Sequence, residues 1–305
     1  MRILIAAAAA LLAGTSAQAQ SPAAPAVPAQ TLKCPVGGAA FEYRAGTAGT
    51  SIGERPDGRP YSNVAVPMPL PECPDNHLVL YKDYEPEEVA KLEPLISSDA
   101  YKALIAADTQ YYRAYWLMKE MGVAPERYLV ALLQAGWEAE SKPELRARYL
   151  AELAEKSAAV PARPDDINWI GMEARAVNAL RELGRFDEAK ARLAKIPTLG
   201  LDIDVGEEAE PEAGKKTDPK QRWLAYLNKQ RAAIARKDSG AEPFDMIPRA
   251  LALSRCLAAG TKAKLAKEQK AFCDKESAAV EELRVKRAGS GDLKALARPR
   301  EESGR

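Results

Sequence analysis

Histidine is almost missing from this chain of 305 residues, with His77 the single copy. One histidine in a Pro-flanked loop, with no Gly-x-Ser-x-Gly elbow anywhere, excludes a credible Ser-His-Asp arrangement. Net charge is missing too: 44 Lys plus Arg face 43 Asp plus Glu, a balance of +1 that exerts no net pull on nucleic acid or an anionic membrane. The four cysteines never fall in the Cys-x-x-Cys spacing that depresses a thiol pKa in oxidoreductases. No Gly-rich motif sits between strand and helix to cradle a phosphate. Aromatics are sparse, and Ala, Leu, Glu, Lys and Arg dominate, which is a helical composition.

The only long apolar run is at the start, "MRILIAAAAALLAGTSAQAQ". At roughly 12 residues it is shorter than the ~20 needed to span a bilayer. Arg2 precedes it, and Ala17-Gln18-Ala19 forms a small-x-small site. The expectation is a secretory signal at 1–19, cleaved after Ala19, and a periplasmic or secreted protein with no later membrane span.

Composition divides the remainder. Residues 20–33 read as a Pro/Ala linker. Residues 34–84 are rich in Gly and Pro without helical periodicity, a small irregular or β head too poor in large apolar residues to stand without a staple. From 85 to 197 the chain reads as short antiparallel helices opened by Pro or a cap, with Pro86 in a first turn and Asp99 as a cap. Residues 198–218 form an acidic linker, 219–287 a further group of helices and 288–305 a disordered tail. Asp202, Asp204 and Glu208 superficially suggest a calcium loop, but the third acidic ligand followed by Gly and the closing Glu are missing, so a solvated linker is expected.

Four cysteines in an exported chain favour disulfides. Of three possible pairings, proximity favours Cys34 with Cys73 and Cys256 with Cys273. A turn at Gly260-Thr261 would leave the second pair misaligned by about 10 Å, beyond the reach of about 7 Å between Cα atoms. That pairing therefore calls for a loop reaching as far as Leu265, or a steep helix crossing. A zinc reading of the head would need Cys34, Cys73, His77 and Asp75 or a water; no cofactor is expected.

The segment from Asn168 to Pro197, "NWIGMEARAVNALRELGRFDEAKARLAKIP", places small Ala176 and Ala179 beside Leu180 and Leu183, turns at Gly184-Arg185, and lines the next helix with Phe186, Ala189, Leu193 and Ile196. It resembles a tetratricopeptide repeat, departing from it at Glu173, where a tryptophan-bearing start belongs. The fold expected is mostly α: tetratricopeptide-like antiparallel helical hairpins with a small irregular or β head. The two turns "CPVG" at Cys34 and "CPDN" at Cys73, with "LVLYK" after the second and helical repeats beyond, resemble a group of uncharacterised bacterial proteins over roughly residues 34–200. In those, paired Cys-Pro-x-Cys knuckles imply a zinc-ribbon-like head on a tetratricopeptide-like body. Here Gly37 and Asn76 replace the second cysteine of each knuckle, so the metal site does not carry over and no activity comes with the resemblance.

Two features suggest a partner surface. Tyr111, Tyr112, Tyr115 and Trp116 recur at helical spacing, fit either to grip a peptide or to pack against "RYLVALL". Arg175 and Asn178, three apart, share a helix face that would be solvent-exposed or hold a partner's backbone or carboxylate. The functional expectation is a scaffold for another protein or peptide in the cell envelope, with Arg175, Asn178, Tyr112 and Trp116 as contacts and no enzymatic activity. The alternative is a cell-wall or polysaccharide hydrolase whose helical groove holds two close acids with raised pKa.

Overall fold

The computed structural model describes residues 28–46, 49–196, 219–258 and 265–289. The expected signal, acidic linker, Asp202, Asp204, Glu208, the Gly260-Thr261 turn and most of the tail lie outside them. Among the described residues the architecture is eleven helices behind two small antiparallel hairpins.

The first hairpin pairs β1 (Gln30–Lys33) with β2 (Ala40–Tyr43), so strand begins inside the stretch expected as linker. Its turn is the first Cys-Pro knuckle, closed by Cys34 N–H donating to the Ala39 carbonyl at 2.8 Å, with Gly37 and Gly38 at φ of 86° and 73°. The second knuckle repeats the geometry: Cys73 N–H donates to the Leu78 carbonyl at 2.9 Å. Cys34 and Cys73 are joined, with their Cα atoms 5.7 Å apart, and both are buried. Asn76 then ties the knuckles together, its amide donating to the Val36 carbonyl at 3.0 Å while its oxygen accepts from Leu78 N–H at 3.0 Å.

The second hairpin, β3 (Ser51–Glu54) with β4 (Pro60–Ser62), turns through Arg55-Pro56-Asp57-Gly58-Arg59. Asp57 braces that turn by accepting from Arg59 N–H at 3.1 Å, and Gly58 completes it at φ 85°.

Helices α1 (Pro86–Ser97), α2 (Asp99–Ala107), α3 (Gln110–Glu120), α4 (Pro125–Glu138), α5 (Pro143–Ala158), α6 (Ile167–Glu182), α7 (Phe186–Leu193) and α8 (Pro219–Ala235) follow, and from α3 onward each packs on the next. Proline opens α1, α4 and α5, where its missing N–H has no intrahelical role. The cap of α2 is Ser98, which accepts from Tyr101 N–H at 3.2 Å; Asp99 is the first helical residue, placed where its charge suits the helix dipole. Three apolar clusters run through this region, including Leu129, Leu132, Tyr149 and Leu153 in one and Ile170, Val177, Leu180 and Ala189 in another.

The C-terminal group is α9 (Arg249–Leu257), α10 (Lys267–Lys275) and α11 (Ser277–Gly289). Helices α10 and α11 are separated by a break at Glu276. Helix α10 starts only at Lys267, beyond Leu265, and this later start brings Cys273 to Cys256 with Cα atoms 5.5 Å apart in a second disulfide.

Candidate functional site

The tip of the second hairpin lies against the inner face of the helical array. Arg175 of α6 donates to the Pro56 carbonyl at 2.7 Å, and Tyr226 of α8 donates to the same oxygen at 2.6 Å. Trp137 of α4 donates to the Asp57 carbonyl at 3.3 Å. Arg146 of α5 donates to the Asp57 carboxylate at 3.3 Å and to Glu182 at 2.5 Å. Four helices thus grip one extended turn through two backbone carbonyls and one carboxylate.

Below the turn the charges are buried and paired. Asp57 is 2 % exposed and Arg181 fully buried. Arg181 donates to Asn178 at 2.9 Å and to the carbonyls of Asp238 and Gly240 at 2.7 Å each, tying α6 to the chain that leaves α8. Burial pushes the Glu182 carboxyl above its ordinary value, against the pull of Arg146. It pushes the Arg181 guanidinium below its own.

Beside the turn is a pocket of about 450 Å³ lined by Arg55, Arg59, Tyr61, Asn63, Glu140 and Glu242, among others. Glu140 accepts from both Arg55 and Arg59. Glu242 pairs with Arg255 at 2.6 Å and accepts from the Tyr61 hydroxyl at 2.8 Å. Burial alone would raise both carboxyls; the arginines outweigh it and hold them below the usual carboxylate range. Hydrolysis by a carboxylate pair needs an acid kept protonated in an open cleft. The acids of this pocket shift the other way, and the carboxyl that shifts upward among the described residues, Glu182, lies under the hairpin.

The residues expected to meet a partner are occupied within the chain. Asn178 is 1 % exposed and bonds Glu182 and Arg181. Arg175 bonds Pro56 and Glu54 and lies about 5 Å from the rings of Trp223 and Tyr226. The shared face expected to meet solvent or a partner is therefore not open: the head covers Arg175, and Asn178 is buried against Arg181 and Glu182 of its own helix. Tyr112 is buried, stacked on Tyr149 at 4.5 Å, with its hydroxyl donating to Glu152 at 2.8 Å. Trp116 is partly buried and packs against Tyr101 at 5.7 Å. Sequence reasoning missed Arg55, Asp57, Arg146 and Arg181; the signal was present in "RPDGRP", an Asp-Gly turn between two arginines.

Both knuckle thiols are spent in the disulfide, and His77 pairs with Glu72 at 2.7 Å instead. Among the described residues no three His, Cys, Asp or Glu side chains gather as metal ligands. Glu72 also bonds Arg113 and Gln110 at 2.8 Å each, which docks the second knuckle onto α3. No described helix is long and apolar enough to cross a membrane. Comparison with protein-family models, curated proteins and solved structures finds no match for the chain.

Proposed function

We propose that the chain is an exported scaffold that binds another protein or peptide of the cell envelope through its helical array. Two disulfides fit an oxidising compartment, because such crosslinks persist there and are reduced in most cytosols. The observation that carries the reading is the grip on residues 55–59: side chains from four helices bond an extended segment through its backbone carbonyls and one carboxylate. That is how a helical array holds a polypeptide, and here it works in cis.

Affinity capture tests it. The processed chain with both disulfides intact is immobilised and exposed to an envelope extract of its source under non-reducing conditions. A single protein retained in comparable molar amount through a salt wash is expected. Only substoichiometric background, indistinguishable from an unrelated disulfide-bonded bait, would contradict the reading.

A further inference from the structure

The inner face is filled by the chain's own hairpin, so a partner needs a different seat. A second groove, of about 250 Å³, lies where the head meets α3 and α4. Leu70 and Tyr81 of the head, Met118 of α3 and Val130 of α4 supply its apolar walls. Val130 is 43 % exposed, unusual for a large aliphatic residue on a helix that packs on both sides.

Two polar side chains of the groove lack a bonding partner among the described residues. The Tyr81 hydroxyl is closed off from the groove and lies against the Tyr84 hydroxyl. Gln134 and the exposed Arg127 line the same groove, and among the described residues neither makes a side-chain hydrogen bond or ion pair. An unpaired guanidinium favours a carboxylate and repels a cation. A cavity of about 150 Å³ holds a benzene ring, so this groove has room for a Leu, Met or Phe side chain.

We propose that the groove between the head and α3–α4 binds a partner polypeptide by one large apolar side chain with an acidic residue beside it. The apolar side chain fills the space between Leu70, Met118 and Val130. The carboxylate pairs with Arg127, and the partner's backbone satisfies Gln134. This assignment rests on the interaction reading above and adds to it a seat and a ligand chemistry.

The test uses the full, disulfide-intact chain and three blocked hexapeptides: one centred on Leu-Asp, one on Leu-Lys and one on Ala-Asp. Methyl NMR shifts of Met118, Val130 and Leu70 are followed on titration. The Leu-Asp peptide is expected to give saturable shifts at these methyls, with the other two at least tenfold weaker. The exposed-site substitution Arg127→Glu should reverse the preference toward Leu-Lys without lowering the melting temperature. No saturable shift at millimolar peptide, shifts indifferent to charge, or shifts confined to the inner face would each overturn the proposal. Repeating the envelope capture with Arg127→Glu and Val130→Asp separates the two readings. A partner still held by both variants moves binding off this groove and leaves the scaffold reading standing. No partner for the unmodified chain removes the scaffold reading, while the titration still decides the groove's own preference.

Discussion

Arg146 and Asp57, 89 residues apart in sequence, meet in a buried ion pair at 3.3 Å. The same guanidinium holds Glu182 at 2.5 Å and the Gly136 carbonyl at 2.9 Å. One side chain therefore joins the head hairpin to α4, α5 and α6, and the inner face of the array is closed by contacts of this kind.

The disulfides differ in what they stabilise. In the chain-entropy model a loop of 39 residues is worth about 4 kcal/mol and one of 17 about 3 kcal/mol. Replacing Cys34 and Cys73 together by Ala should cost more, in urea unfolding, than replacing Cys256 and Cys273 together. It should also release the head, seen as faster hydrogen exchange at residues 30–43. Thiol titration of the denatured, unreduced chain should find no free cysteine.

Two glycines with similar backbone angles should respond differently to alanine. Gly58 sits at φ 85°, and a Cβ there would lie 2.7 Å from the Arg175 side chain; Gly122 sits at φ 73° with nothing within 4 Å. Left-handed strain of about 1–2 kcal/mol applies to both. Gly58→Ala adds displacement of Arg175 from Pro56, so its loss of stability by chemical denaturation should be the larger.

Stability against pH carries two opposing contributions. Burial opposes ionisation of Glu72, but its bonds to Arg113, Gln110 and His77 hold it below its ordinary value. A lowered carboxyl contributes stability above its unfolded pKa, about 4.3, and that contribution is lost as pH falls through the folded value. Glu182 is raised by burial, so it favours the folded state most at low pH, and that contribution is lost as pH rises from about 4.3 through its folded value. Glu72→Gln should therefore reduce the acid-side loss of stability, and Glu182→Gln should reduce the loss on raising pH. Denaturation midpoints from pH 3 to 8 check both signs.

The helical body was legible because its punctuation is local. Pro86, Pro125 and Pro143 open helices, and the Asn168–Ile196 pattern is a helical hairpin with small residues at the crossing. The disulfide pairing was legible from the expected signal segment and from proximity. The knuckles were half legible: Gly37 and Asn76 read as losses, yet Asn76 bonds across to Val36. The site was not legible, because its contacts span 85 residues from Arg55 to Glu140, 119 from Pro56 to Arg175 and 170 from Pro56 to Tyr226. Arg175 and Asn178 carry a polar pattern that looks the same whether water or a hairpin covers it. Only the tertiary placement of residues 55–59 distinguishes the two.

Specific pairing holds the head hairpin against the helices. A double-mutant cycle between Asp57→Asn and Arg146→Met in the oxidised chain measures that pairing directly. Each single substitution should destabilise, by about 3–5 kcal/mol where a buried charge is left without its partner. The double variant should lose less than the sum, by at least about 1 kcal/mol of coupling. Additive losses, with coupling near zero, would mean that Asp57 and Arg146 do not pair and that the hairpin lies elsewhere.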